Sequence, residues 1–301
     1  MPELEPYEDG VYLWHYVPSR AASIVFLCAF ALCTLGIVIR MGWTRTWFSI
    51  PFIIGGLMEI AGYVARALSY NRTGNLSLYS VQFILILVAP ALFAASVYMA
   101  LSRLIRKLNA RAQSIISPRW LTRIFVLGDV MSFVVQLAGG AMATNPDGNP
   151  NTAKWVILIG LLVQIGFFGL FMLTALVFNL RFRALGPART TTTGISWTKI
   201  LYMLYSVSAL VMGRSIFRVI EYAMGVDSYL FQHEWPLYSF DAALMLLAMI
   251  TWGLLYPGDL NLRSQINRKT FEEIQMNRQA DYGVTQGPSH QPPHVEDGDR
   301  F

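Results

Sequence analysis

Residues 211–225 read VMGRSIFRVIEYAMG, an apolar segment that carries Arg214, Arg218 and Glu221. The stretch lies within a run, about 200–223, long enough to cross a bilayer, which takes roughly 20 predominantly apolar residues as a helix. A charge at the centre of such a helix costs about 2.5–3.5 kcal/mol on insertion scales, so each of the three needs a partner or a wet cavity. On a helix they stand at i, i+4 and i+7 and share one face. Arg218 and Glu221 pair within the helix, whereas Arg214 and Arg218 are like charges one turn apart. Arg214 therefore requires a carboxylate from another helix, and the segment is predicted to belong to a bundle.

Working outward, six further apolar runs of roughly 18 residues or more occur at about 21–39, 47–67, 79–101, 124–144, 155–178 and 237–256. Of the 301 residues, 54% are hydrophobic and 14% charged, against about a quarter charged in soluble domains. The predicted fold is an all-α integral membrane protein of seven transmembrane helices. Trp14, Trp43, Trp47, Trp120, Trp155, Trp197, Trp235 and Trp252 all fall at or near predicted helix ends, the headgroup level that indole rings favour. Connections on one side hold Arg20, Arg72 and Lys154, and those on the other hold a dozen Lys and Arg residues from Arg40 to Lys199. The positive-inside rule then places the amino terminus outside and the carboxyl terminus in the cytoplasm. The expected organisation is an extracellular segment 1–16, a transmembrane domain 17–258 and a cytoplasmic, mostly disordered tail 259–301 with a short helix around 268–279.

Asn71 and Asn75 open two glycosylation sequons, NRT and NLS, in the loop between the second and third helices, which this topology puts outside. Residues 1–16 are acidic and lack an apolar core, so the first helix is expected to act as an uncleaved anchor. The net charge of +5 collects in cytoplasmic loops, where topology and anionic lipid account for it, and no nucleic-acid partner is expected. Cys28 and Cys33 point to different sides of one helix, which argues against a disulfide or a Cys-based metal site.

The other intramembrane polar residues are few. The second helix carries Glu59 and Arg66, seven residues apart and on nearly one face, and the third carries Gln82 and a kinking Pro90. The fourth has Asp129, Ser132, Gln136 and Gly140 at i, i+3, i+7 and i+11, a polar stripe expected to face other helices. The fifth has Gln164, and the seventh has Asp241 just past its outer entry. Counting at about 1.5 Å per residue puts Glu59, Arg66, Arg214, Arg218, Glu221 and Asp241 in the outer half and Asp129 towards the inside. Glu59 and Asp241 are the carboxylates available to Arg214. Plainer readings exist: Arg218 and Glu221 as a headgroup-level pair with Arg218 snorkelling, Asp129 as a helix-end residue near Arg123, and His15, His233 and Glu234 as solvated interfacial groups.

Several chemistries are disfavoured. The histidines are His15, His233, His290 and His294, none within a predicted span, which argues against an intramembrane metal hydrolase. The last helix lacks a Schiff-base lysine, and no GxxxxGK[ST] phosphate loop occurs. The third helix ends ALSRLIRKLNAR, without the acidic-arginine signature of many guanine-nucleotide-coupled receptors. No enzyme activity, catalytic residue, metal or cofactor is expected.

The segments YVPSRAASIVFLCAF, MEIAGYVAR, LVAPALFAASVYMALSRLI, FVLGDVMSFVVQLAGG, RSIFRVIEYAMG and HEWPLYSFDAALMLLAM carry a resemblance. Over nearly all of residues 12–258 the chain resembles the fungal lipid-translocating exporters, the RTA-like seven-helix proteins linked to aminocholesterol resistance and sphingoid-base release. The resemblance implies a translocator or exporter of amphipathic lipids, such as sphingoid long-chain bases or aminosterol-like compounds, contributing to toxic-lipid or drug resistance. Its membrane would be the plasma membrane, or a vacuolar or other secretory-pathway membrane. On the reading of the residues, Glu59, Glu221 and Asp241 would meet a cationic head group, Arg66, Arg214 and Arg218 would balance those acids or hold a phosphate-bearing head group, and Asp129 and Gln136 would continue the polar path inward. The alternative is a seven-helix lipid or sterol sensor or receptor that binds without transporting.

Overall fold

Each apolar run becomes a helix in the computed structural model, which describes residues 14, 18–71, 73–108, 110–143, 149–184, 197–225 and 228–258. The seven that are long and apolar enough to cross a membrane are α1 (Arg20–Thr44), α2 (Ile50–Ser69), α3 (Leu76–Lys107), α4 (Pro118–Ala143), α5 (Pro150–Arg183), α6 (Trp197–Met224) and α7 (Leu237–Leu254). Among the described residues there is no strand. The segment 1–16 apart from Trp14, the tail 259–301 with its expected helix, and His15, His290 and His294 lie outside the described residues.

The helices begin and end where local chemistry asks them to. Ser19, Asn75 and Asn149 cap α1, α3 and α5, each side chain accepting a backbone N–H of the first turn, as orphan amides at a helix start require. Pro118 and Pro150 open α4 and α5, where a missing N–H costs nothing. Arg45 ends α1 in the left-handed conformation, with φ 51°. A 3-10 turn, Trp47–Ser49, then feeds α2. The helices run beyond the apolar runs that predict them: α3 has 32 residues, about 48 Å at 1.5 Å per residue, so it must tilt or emerge from a hydrocarbon core of roughly 30 Å.

α3 is the most buried span and packs against α2, α4 and α6. Around it α1 meets α2 and α7, α4 meets α5, α5 meets α6 and α6 meets α7. Small residues set the close approaches, as in lipid, where tight packing stands in for the hydrophobic drive. A Cβ on Gly55 would lie 2.7 Å from the Phe93 ring, and one on Gly160 would lie 3.0 Å from the Ser132 carbonyl. Phe52 stacks between Phe93 at 4.4 Å and Trp252 at 4.5 Å. Outward, α1, α2, α4 and α5 present Leu32, Leu57, Leu127 and Leu162, the apolar coat of a multi-pass integral membrane protein.

Two tryptophans depart from the expected interfacial belt. Trp252 is fully buried in the Phe52–Phe93 stack, and Trp14 is buried edge-on against Tyr79; both fill protein interior although their positions near helix ends suggested headgroups. Trp43, Trp47, Trp120, Trp155 and Trp235 are exposed. Cys28 and Cys33 are free thiols.

Candidate functional site

The carboxylate that Arg214 requires comes from α7. A π-helical stretch, Leu237–Ala242, opens α7 and carries Asp241; such stretches add a residue to the turn and redirect side chains, often at functional sites. Asp241 lies between the two arginines of α6, accepting from Arg214 Nε through Oδ1 and from Arg218 Nη2 through Oδ2 at 2.5 Å. The like charges one turn apart are thus tolerated because a single carboxylate bridges them. Arg218 Nη1 also donates to Glu221 Oε2 at 3.1 Å, the pairing expected at i, i+3. Arg214, Arg218, Glu221 and Asp241 are all buried, so Arg218 is packed among protein groups and does not snorkel outward.

Arg214 has a further partner that explains Pro90. Its Nη2 donates to the backbone carbonyl of Ile86 at 2.8 Å. Proline has no N–H, so Pro90, inside α3, cannot take up the carbonyl four residues earlier. That carbonyl is Ile86, and the guanidinium of α6 satisfies it.

Glu59 of α2 shares the electrostatic neighbourhood of Arg214, Arg218 and Asp241. It is 1% exposed, and its Oε2 has no hydrogen-bond partner among the described residues. No ion pair among the described residues includes it; Arg66, Arg214 and Arg218 pair with Glu234, Glu221 and Asp241.

Arg66, also on α2, is held by groups near the entry to α7. Its Nη2 donates to Glu234 Oε1 at 2.7 Å and its Nε to the Tyr238 hydroxyl at 3.0 Å, and its guanidinium lies 5.4 Å from the Trp14 ring. Glu234 also accepts the Ser19 N–H through both oxygens, at 2.8 and 2.9 Å. The expectation that Glu234 is a solvated interfacial group is corrected: it ties the start of α1, the end of α2 and the entry to α7 together. Glu234, Tyr238 and Asp241 stand at i, i+4 and i+7, the spacing that marks Arg214, Arg218 and Glu221 on α6. That matching period was the signal available for Glu234 and Tyr238.

Asp129 and Gln136 stand apart from this cluster. α4 packs principally against α3 and α5, and its stripe faces those helices, as expected. Asp129 is buried and its Oδ2 accepts from the Tyr98 hydroxyl of α3 at 2.9 Å. It is not a helix-end partner of Arg123, which is exposed beside the Trp120 ring. Gln136 Nε2 donates to Gln164 Oε1 of α5 at 2.9 Å. Asn71 is exposed in the turn after α2, and Asn75 Oδ1 caps α3 through the Ser77 and Leu78 amides. Among the described residues no three His, Cys, Asp or Glu side chains converge to hold a metal ion.

The model of the RTA1 like protein family matches residues 52–263. The chain is 33% identical over 284 residues to protoporphyrin uptake protein 1 of Saccharomyces cerevisiae, covering 82% of this chain and 92% of that protein. It is 31% identical over 315 residues to protein RTA1 of the same yeast, covering 96% and 97%. Sphingoid long-chain base transporter RSB1, also of Saccharomyces cerevisiae, is 25% identical over 295 residues, covering 86% and 77%. No solved structure matches the chain significantly. A family match over most of the seven-helix region, with relatives above 30% identity along most of both chains, establishes that this chain belongs to the RTA1-like family.

Proposed function

We propose that the chain is a non-enzymatic translocator of amphipathic lipids bearing one positive charge, with sphingoid long-chain bases or aminosterol-like compounds as cargo. The observation that carries this reading is Glu59. Among the described residues the three buried arginines of the cluster pair with three carboxylates, and the Glu59 carboxyl is the acid of the cluster outside those ion pairs. A head group crossing hydrocarbon needs replacement partners for its lost hydration, and an acid outside the ion pairs suits a monovalent cation. Glu221 and Asp241 shape the rim of that site, while Arg66, Arg214 and Arg218 hold the network in place. The names of two relatives, an uptake protein and a transporter, support cargo movement as the activity; a role in resistance to toxic lipids or drugs belongs to the same proposal.

The orientation proposed is amino terminus outside and tail 259–301 in the cytoplasm, in the plasma membrane, with 17–258 as the transporting domain. Asn71, exposed in the α2–α3 turn, is then the favoured glycan acceptor.

Export of a labelled sphingoid base from cells carrying wild-type protein or Glu59→Gln, at matched surface abundance, tests the assignment. Loss of export at unchanged abundance is expected. Wild-type export from Glu59→Gln removes Glu59 from the cargo path. If overexpressed wild-type protein exports no more than empty cells do, a binding-only sensor takes the translocator's place.

A further inference from the structure

We infer that Asp129 is the binding site of a proton that the bundle exchanges with water during transport, a site separate from the head-group site around Glu59. The inference rests on the translocator reading only for the word transport; the proton site itself stands on the surroundings of Asp129.

Asp129 lies eleven residues into α4, roughly 16 Å along the helix, inside the apolar run. It is 3% exposed, and its Oδ1 has no hydrogen-bond partner among the described residues. Tyr98, whose hydroxyl meets Oδ2, is itself wrapped by Phe125, Phe168 and Phe171 with ring centroids 4.5–6.0 Å away. Among the described residues no cation on the elements packed around Asp129 forms an ion pair with it. On α3, Arg103 lies over Phe48 and Arg106 bonds Ser102, with Lys107 at the helix end. On α5, Lys154 bonds the Ala223 carbonyl, and Arg181 and Arg183 occupy the last turn. On α4 itself, Arg119 and Arg123 are exposed.

A lone carboxylate in such a place keeps its charge only against the loss of its hydration, and a proton removes that cost. A metal or sodium ion would need several converging oxygens, whereas the neighbouring Ser132 hydroxyl is committed to the Gly128 carbonyl at 2.8 Å. A proton needs one oxygen. The Tyr98 hydroxyl has a complementary part: donating to Oδ2, it stabilises the carboxylate left when the proton departs to water, until another returns from the opposite side. The cycle moves one proton per turnover, and opposed to one monovalent lipid cation it is electroneutral.

Two readouts on the purified full-length protein separate the proton site from the cargo assignment. Infrared spectra in detergent or lipid are compared for wild type, Asp129→Asn and Asp129→Glu. The wild type is expected to show the C=O stretch of a buried carboxylic acid, lost in Asp129→Asn and shifted in Asp129→Glu. In liposomes, movement of a fluorescent long-chain amine by wild type and Asp129→Glu is expected to follow an imposed pH gradient, and that response is lost in Asp129→Asn. A wild-type carboxylic-acid signal that Asp129→Asn leaves unchanged overturns the inference. So does an Asp129→Asn protein that still follows the gradient. If wild type moves no amine yet the Asp129 band is present, the cargo assignment fails and the proton site stands.

Discussion

Replacing Asp241 by asparagine probes the network at its hub. The side chain keeps its size and loses the charge that bridges Arg214 and Arg218. Arg214, 3% exposed, then keeps the Ile86 carbonyl but loses its hydrogen-bonded carboxylate, while Arg218 retains Glu221. Removing one partner of a buried ion pair costs about 3–5 kcal/mol, because the other charge stays buried and unpaired. That is a large part of the ~5–15 kcal/mol by which folded domains are stable, and it corresponds to a fall of roughly 10 °C in Tm for a chain of this size. Thermal unfolding of the purified protein in one detergent, monitored by tryptophan fluorescence, reads the effect. The variant Arg214→Met isolates its cause: adding it to Asp241→Asn removes the stranded cation, so the double variant is expected to be more stable than the sum of the two single losses, by at least ~1 kcal/mol. A loss below about 1 kcal/mol for Asp241→Asn, or strict additivity in the double variant, would falsify the view that Asp241 neutralises Arg214.

Three further outcomes are expected. Gly160→Val forces side-chain atoms against the Gln136 methylene, 2.7 Å from a Cβ, and the Ser132 carbonyl at 3.0 Å; it should lower stability by about 1–3 kcal/mol, whereas Gly166→Ala, with open space around its Cβ, should leave unfolding unchanged or slightly raised. Glu234→Ala should cost about 1–3 kcal/mol, since Arg66 is 1% exposed and its carboxylate partner is lost; melting at the wild-type temperature counts against Glu234 as a tie between α1, α2 and α7. Asn71→Gln should increase gel mobility without changing Tm, while Asn75→Ala should cost about 1 kcal/mol through loss of the α3 cap; equal thermal behaviour of the two variants contradicts the cap.

The seven helices were legible because lipid imposes one requirement, an apolar run of sufficient length, and composition exposes it. The need of Arg214 for an outside carboxylate was equally legible, since like charges one turn apart on α6 do not neutralise each other. The choice between Glu59 and Asp241 was not, because it depends on how α2 and α7 are rotated about α6, which no local pattern encodes. Glu234 was misread for a related reason: adjacent to Trp235 and Pro236, it has the local look of a solvated helix end, and only the arrival of Ser19 and Arg66 from distant segments makes it a counter-ion. Tyr98 has no sequence signal of its own, because its hydroxyl becomes informative only beside Asp129. Trp252 followed the interfacial rule by position and broke it by packing, as Phe52 and Phe93 supply a better apolar surface than the headgroup region.

The measurement closest to the central claim is leaflet redistribution of a fluorescent sphingoid base in liposomes that contain the purified chain and no other protein. Wild-type protein is predicted to move the probe between leaflets faster than protein-free liposomes do, with Glu59→Gln falling to the protein-free rate while retaining the wild-type Tm. A wild-type rate equal to that of protein-free liposomes, in samples whose protein is folded and binds the probe, would contradict translocation and leave binding alone as the activity.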